Sequence, residues 1–476
     1  MIYKNSGSKC ISSFIKEKKC VLKQLQITEK QLFKTISLIS FHIKLLLILA
    51  KGFLLTGRLD WRLYFAAIMG NQPIDRFFYI FQSEQKTVFK GAIISFYVSL
   101  FLSFCISANA QSHLAKSNGS DGIIQIIFCS DVHFGIKKAN FRGDTNITSA
   151  KVNAAMVAQM NSLPSYFLPN DEGVAAGKKI NAIDAIAITG DISNRQEKGV
   201  QSASKSWLQF KTDYISNLHV TNKKGEKAKL LLTPGNHDIS DAIGFEKPME
   251  PLTDKGSMVG IYNLMMHPKV AKTVKTYNYK TNKIHYSINL GTVHFVFVDA
   301  WPDSAERVWM EQDLKHVNAQ TPVLIFTHSM PDVEARFFQN PNGDHSVNAT
   351  DRFENLVAET FKDGKLVTDS AIIEQRAFAN FVQSHPNIKG YFHGHNNYTE
   401  FYDWKGNGNI NLPCFRVDSP MKGKYSAKDE TKLSFELISI DTNSKTLTVR
   451  ECLWNTQPNN PKQKIAWGIS RTIFLN

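Results

Sequence analysis

The chain contains no Cys-x-x-Cys pair and no zinc-finger spacing among its six cysteines. Nothing in it therefore reads as a thiolate metal site or a dithiol redox centre. It has no internal repeat and no low-complexity tract, which sets aside solenoids, propellers and unstructured spacers. It also lacks the even spread of positive charge that a formal +14 suggests. Residues 1–110 carry 15 Lys+Arg against 5 Asp+Glu, and the remainder carries 41 against 37. The body of the protein is close to neutral, so bulk electrostatics makes no case for a nucleic-acid partner. Long apolar runs are missing too. The uncharged core Ala92–Ile106 has 15 residues, short of the roughly 20 that a membrane-spanning helix needs.

What is present starts at the amino-terminal end. Lys86 and Lys90 precede Gly91–Ile106, and Ser107-Ala108-Asn109-Ala110 follows before Gln111. Positive residues, an apolar core and an A-x-A site form a signal-peptide pattern over 91–110, with a single membrane anchor as the alternative. Cleavage would leave an exported protein, periplasmic or secreted; an uncleaved segment would hold it on a membrane. Such a segment belongs near a start of translation. Either translation begins near Met69, or residues 1–68 form an extension, so 1–90 reads as weakly structured or over-extended. Among the cysteines, Cys129 lies in an apolar strand as a small core residue. Cys414 and Cys452 remain as a pair that an oxidising compartment would allow to bond.

From about residue 120 to 476 apolar strands alternate with helical segments, which indicates an α/β arrangement. Its length would hold two or three average domains, although a large α/β unit absorbs much of it. Ser149 can cap a helix that aligns Val152, Met156, Met160 and Leu163. Asp303 and Glu306 make a capping-box-like start for a second, with Met310, Leu314 and Val317 on one face. Residues 284–289 and 292–298 flank Leu290-Gly291 as a hairpin, and 432–440 with 446–453 form another. Residues 331–367 lack periodicity and read as an inserted loop, a kind of segment that is often functional. His285 and His294 sit in strands as structural residues, and Trp301 reads as packing.

Five short blocks lie in order along this region: Asp131-Val132-His133, Gly190-Asp191, Gly235-Asn236-His237-Asp238, Thr327-His328 and Gly394-His395-Asn396-Asn397. Each follows a run that reads as a buried strand. A two-metal hydrolytic centre requires carboxylate, imidazole and carboxamide donors to converge in this way.

The order D-x-H, G-D, G-N-H-D, H, G-H resembles the calcineurin-like metallophosphoesterases. It is closer to the phosphodiesterase-like and sphingomyelinase-like members than to the purple acid phosphatases. The first block is D-x-H, and no tyrosine stands three residues after Asp191. The resemblance implies an α/β fold in which two mixed β-sheets form a sandwich flanked by helices. It implies two divalent ions (Mn, Fe or Zn) at the strand ends, since oxygen and imidazole donors accept all three. Asp131 and His133 would bind the first ion, Asp191 would bridge both, and Asn236, His328 and His395 would hold the second. His237 would act in proton transfer or on phosphoryl charge, with Asp238 orienting it. Two such ions would generate a hydroxide that attacks phosphorus in line. The substrate would be a small phosphate ester or a lipid headgroup, monoester or diester. The membrane would be a partner only if the amino-terminal segment stays uncleaved.

One position departs from the pattern. Asn397 stands where the family usually has a second histidine on the first metal, and its neutral amide is a weaker donor toward transition ions. Asn397 as ligand, a water-filled gap and substitution by His393 all remain open. A metal-binding module with an impaired first site and no catalysis is the alternative function.

Overall fold

Strands covered on both faces read as continuous apolar runs, because neither side faces water. The computed structural model describes residues 122–194, 201–239, 254–279, 281–332, 374–460 and 463–476, with only the backbone of 361–362, 365–366 and 370–373. The expectations for residues 1–110, and for most of the loop at 331–367, lie outside the described residues.

In chain order the strands are β1 (Ile123–Cys129), β2 (Lys137–Phe141), β3 (Asp144–Thr148), β4 (Ala185–Thr189), β5 (Lys229–Thr233), β6 (Tyr286–Leu290), β7 (Val293–Phe297) and β8 (Val323–Phe326). They continue with β9 (Phe361–Lys362), β10 (Lys365–Leu366), β11 (Ile388–His393), β12 (Glu400–Trp404), β13 (Leu412–Arg416), β14 (Ser434–Asp441), β15 (Thr446–Leu453) and β16 (Ala466–Phe474). The helices are α1 (Ser149–Ser162), α2 (Ala203–Phe210), α3 (Asn236–Ile239), α4 (Gly256–Met266), α5 (Ser304–Leu314) and α6 (Ser370–Ser384).

Two six-stranded sheets carry the fold, in the orders β16-β15-β14-β1-β4-β5 and β12-β13-β11-β8-β7-β6. The first has a parallel half and an antiparallel half, and the second has a parallel centre with antiparallel edge strands. In the first, β1, β4 and β5 run parallel and β14 joins β1 antiparallel. In the second, β7, β8, β11 and β13 run parallel, with β6 and β12 antiparallel at the edges. The fold is thus the expected α/β type with mixed sheets flanked by helices, and the carboxy-terminal part is antiparallel as read. Parallel neighbours point their carboxyl ends the same way, so the loops after β1, β4, β5, β8 and β11 gather at one end.

Alternate residues of each strand divide between two cores. Ile126 and Phe128 of β1 pack with Phe326, Phe392 and Phe415 between the sheets, while Ile127 and Cys129 face the helical layer. Phe326 and Phe392 stack at 4.5 Å, and Phe128 meets both edge-on at 5.7 and 5.6 Å. This phenyl cluster lies under three of the strands that end at the loop cluster. It gives those ends a rigid base.

The helix starts follow short-range chemistry, with one shift. Thr148 caps α1 by accepting from Lys151 N, while Ser149 is the first helical residue and its Oγ accepts from Gly135 N at 3.0 Å. Asp303 caps α5 and accepts from Glu306 N at 2.9 Å. The Glu306 carboxylate lies 3.1 Å from Nδ1 of His285, whose ring stacks on Trp309 at 4.4 Å. The Cys414–Cys452 bond that an oxidising compartment would allow is not formed. Both thiols are free and buried, Cys414 in β13 of one sheet and Cys452 in β15 of the other. Among the described residues no helix is long and apolar enough to cross a membrane.

Asp418, just beyond β13, is almost fully buried. Burial pushes its carboxyl up to about 7 despite the nearby Lys138 charge. An unfolded aspartate titrates near 3.9. Between these values the folded state holds the extra proton, so this contribution to stability is complete below about pH 4 and is lost as pH rises through about 7. Asp418→Asn is therefore expected to flatten that part of the pH–stability curve. Urea midpoints measured from pH 4 to 8 check it.

Candidate metal centre

All five blocks sit at the carboxyl ends of parallel strands, and the chain takes unusual turns there. Asp131, His133, Asp191, His395 and Asn397 all adopt left-handed backbone, with φ of 54°, 43°, 51°, 68° and 57°. Such conformations cost on the order of 1 kcal/mol or more each outside glycine. Asp, Asn and His tolerate them best, because their short polar side chains bond locally.

Backbone hydrogen bonds tie the blocks to one another. Asp131 N donates to Gly190 O at 3.0 Å and His133 N to Asp191 O at 2.9 Å. His237 N donates to Asp191 Oδ1 and His395 N to Asp131 Oδ2, both at 2.9 Å. Gly394 N donates to His328 O at 3.0 Å, joining the fourth and fifth blocks. Two glycines make this proximity possible. A Cβ on Gly235 would overlap the Asp191 carboxylate, and one on Gly394 would overlap Asp131 Oδ2 and Ser130 Oγ.

Asp238 serves this network and not the role expected of it. Its carboxylate accepts from Ile192 N (3.0 Å), Ser193 N (2.9 Å), Ser193 Oγ (3.1 Å) and Gly235 N (3.1 Å). Four donors from two loops are held on one buried anion, so Asp238 fixes the second block against the third. Orienting the His237 ring is not the work its oxygens are turned to.

The side chains form two groups that share Asp191. In the first, Asp191 Oδ2 lies 3.6 Å from His133 Nε2 and 3.7 Å from His237 Nε2. Asp131 Oδ1 is 3.5 Å from the same His133 nitrogen. In the second, His328 Nε2 is 2.9 Å from Asn236 Oδ1 and 3.4 Å from Asp191 Oδ1. His395 Nδ1 lies 3.1 Å from both Asn236 Oδ1 and His328 Nε2. His133 with Asp191 and His237, and Asp131 with Asp191 and His328, each present ligand atoms within 4.8 Å of one another.

These donors fit a divalent cation. His328 Nδ1 stands 2.7 Å from Thr189 O, and a carbonyl only accepts, so that nitrogen carries the proton. In the neutral ring Nε2 is then a lone pair, aimed at Asn236, Asp191 and His395. Asp131 Oδ1, both ring nitrogens of His133 and Asn397 Oδ1 are buried without a hydrogen-bond partner. Burial and the Lys422 charge hold His133 down at about 3 and His237 well below its usual range. Burial and the neighbouring His328 hold His395 down at about 3. His133, His237 and His395 are therefore neutral near pH 7, the form that binds metals. Burial and the Asp131 charge push the Asp191 carboxyl up, a penalty that a bound cation would reverse.

Two positions that the sequence left open have local partners. His393 is the last residue of β11. Its Nε2 lies 2.9 Å from Tyr402 Oη and its Nδ1 3.0 Å from Gly394 O, so its ring belongs to the second sheet and does not replace a ligand. Asn397 folds its amide back, donating from Nδ2 to His395 O at 2.9 Å. His237, expected outside the ligand set, stands as near to Asp191 Oδ2 as His133 does. Lys422 escaped the sequence reading altogether. Its Nζ reaches to 3.5 Å from His237 Nε2, yet it follows β13 in a segment with no metal-ligand residue pattern. Trp301 is buried and donates from Nε1 to Met330 O at 2.9 Å, as packing requires.

A family model described as calcineurin-like phosphoesterase matches residues 124–398. The chain belongs to that family. Members of this family are metal-dependent phosphoesterases, and the His and Asp groups above are those that could bind metal here. No curated protein matches the chain in sequence. Solved structures similar to it include a dimetal phosphatase from Danio rerio, 9% identical, with TM-score 0.38, covering 72% of this chain and 98% of that one. A phosphopantetheinyl hydrolase from Mycobacterium tuberculosis is 10% identical with TM-score 0.27, over 63% of this chain and 91% of its own. The calcineurin-like phosphoesterase YfkN from Bacillus subtilis is 10% identical with TM-score 0.26, over 74% and 90%.

Replacing Gly394 by alanine should push the Asp131 carboxylate out of place. Gly394→Ala is expected to lose bound Mn2+ relative to wild type, read as metal per chain after gel filtration, while keeping its far-UV circular dichroism.

Proposed function

We propose that this calcineurin-like phosphoesterase hydrolyses a phosphate ester with two divalent ions, and that residues 91–110 direct its export. The observation that supports the two-ion reading best is the shared carboxylate: Asp191 turns one oxygen to His133 and His237 and the other to His328. A carboxylate between two cations has an oxygen for each and offsets their repulsion. Asp131, His133 and Asp191 would hold one ion, and Asp191, Asn236, His328 and His395 the other. When bound, such ions polarise phosphoryl oxygens and lower the pKa of water.

The protein's own groups do the rest. The ligand residues are nearly all inaccessible to solvent, so charge developing on phosphorus is opposed by little water and electrostatic contacts act at full strength. His237 stands beside the shared carboxylate as a neutral imidazole. In that form it donates one N–H hydrogen bond to a phosphoryl or leaving oxygen and needs no positive charge to do so. Asp238 keeps the His237 turn against the Asp191 loop, so both move as one piece. A small phosphate ester or a lipid headgroup, as monoester or diester, satisfies these requirements. The body's near-neutral charge gives no support to a nucleic-acid substrate.

A second reading is favoured by one feature. Asn397 in place of a histidine weakens the first group, and a chain holding a single ion would bind phosphate esters without turning them over.

Three outcomes are expected. Mn2+-loaded full-length protein should hydrolyse aryl phosphate mono- or diesters, and Asp191→Ala should abolish this; one ion per chain without turnover would favour the binding module. His237→Gln should lower kcat by about 100-fold, as read by steady-state kinetics with metal per chain measured beside it. The exported form should begin at Gln111 on amino-terminal sequencing.

A further inference from the structure

The segment that follows β13 brings one cation into the loop cluster. Ser419 Oγ donates to Asp131 O at 2.8 Å and accepts from Lys422 N at 2.9 Å and Met421 N at 3.2 Å. The hydroxyl of Ser419 thereby clips the Lys422 backbone to the first ligand block. Two residues further on, Lys424 N donates to Asn397 O at 2.6 Å. Lys422 thus lies between two ties, its own amide held by Ser419 and the amide of Lys424 held by Asn397.

Held in this way, the half-buried Lys422 side chain points inward, with Nζ 3.5 Å from His237 Nε2. The charge is felt across the site, since it acts on His133, His237, His395 and Asp191 alike. The segment that carries Lys422 is tied to Asp131 through Ser419 and to Asn397 through Lys424, and its ammonium stands beside the imidazole proposed to meet the phosphoryl group. A compact ammonium there is a point charge suited to a tetrahedral oxyanion.

We infer that Lys422 is a phosphate-binding residue, its ammonium receiving a phosphoryl oxygen of the substrate beside His237. The inference rests on the phosphoesterase reading of this site. Ser419 is then a positioning residue, because it acts only by fixing where Lys422 stands.

The test is binding of inorganic phosphate to Mn2+-loaded full-length protein by isothermal titration calorimetry, which needs no turnover. Lys422→Met keeps most of the apolar stem and removes the charge. It is expected to weaken phosphate binding at least tenfold while metal per chain and thermal midpoint stay at wild-type values. Lys422→Arg is expected to restore binding to within about threefold, which a merely space-filling role would not require. With an aryl phosphate, Lys422→Met should raise KM in step with the phosphate dissociation constant. Phosphate binding unchanged in Lys422→Met overturns the inference and leaves the phosphoesterase reading intact. A Lys422→Met protein that gains or loses metal with phosphate affinity unaltered overturns it as well, assigning Lys422 to the ions. Failure of the metal-loaded wild type to bind phosphate at all overturns the phosphoesterase reading, and this inference with it.

Discussion

Within the loop cluster, electron-pair donors crowd together. His328 Nε2, His395 Nδ1 and Asn236 Oδ1 converge within 3.1 Å of one another, and Asp131 Oδ1 and the His133 ring, which as a neutral imidazole has one lone pair and one N–H, are buried without a hydrogen-bond partner. In water this arrangement would cost nothing. Sealed away from it, each unsatisfied group costs on the order of 1–3 kcal/mol. A cation would take up the lone pairs among them, and the stability of these loops would thereby be linked to metal binding. The crowding follows from the two sheets, since their parallel strands deliver the five loops to one end.

Holding these donors together takes constraint from below and from the sides. The stacked phenyl rings of Phe326 and Phe392 fix the ends of β8 and β11. Asp238 binds the Ile192–Ser193 backbone to Gly235. Gly235 and Gly394 allow carboxylates to lie against backbone where any side chain would intrude. The left-handed conformations at five ligand-block residues are the local cost of these turns. Strain of this kind persists only where the surrounding contacts over-determine it.

Much of this could be read from the residues. The strands before the first four blocks are largely apolar runs because both faces are covered, and the blocks could be placed because polar donors at the ends of such runs have no packing role. Thr148 displaced Ser149 as the α1 cap because either hydroxyl can accept from an amide, and only the path of the preceding hairpin decides between them. Asp238 looked like a partner of His237 through adjacency alone. A four-residue helix turns neighbouring side chains apart, and its carboxylate finds the second block. Cys414 and Cys452 looked available by elimination, a rule that carries no distance. Lys422 was invisible because lysine at a loop has no pattern. Its position depends on a serine hydroxyl reaching a carbonyl 288 positions away in the chain.

The pairing of β1 with β14 sets the order in which the molecule can be completed. Gln125 and Ser439 meet through their side chains although 314 positions separate them, and the strand that precedes Asp131 and His133 is flanked on one side by a strand from the far end of the chain. On the ribosome, β1 therefore waits with an open edge until nearly all of the polypeptide has emerged. A chain threaded through a membrane in extended form would bring its donors together only on the far side. The ions that fill the centre would then be those of the destination, so the metal content of the mature protein would record where it folded.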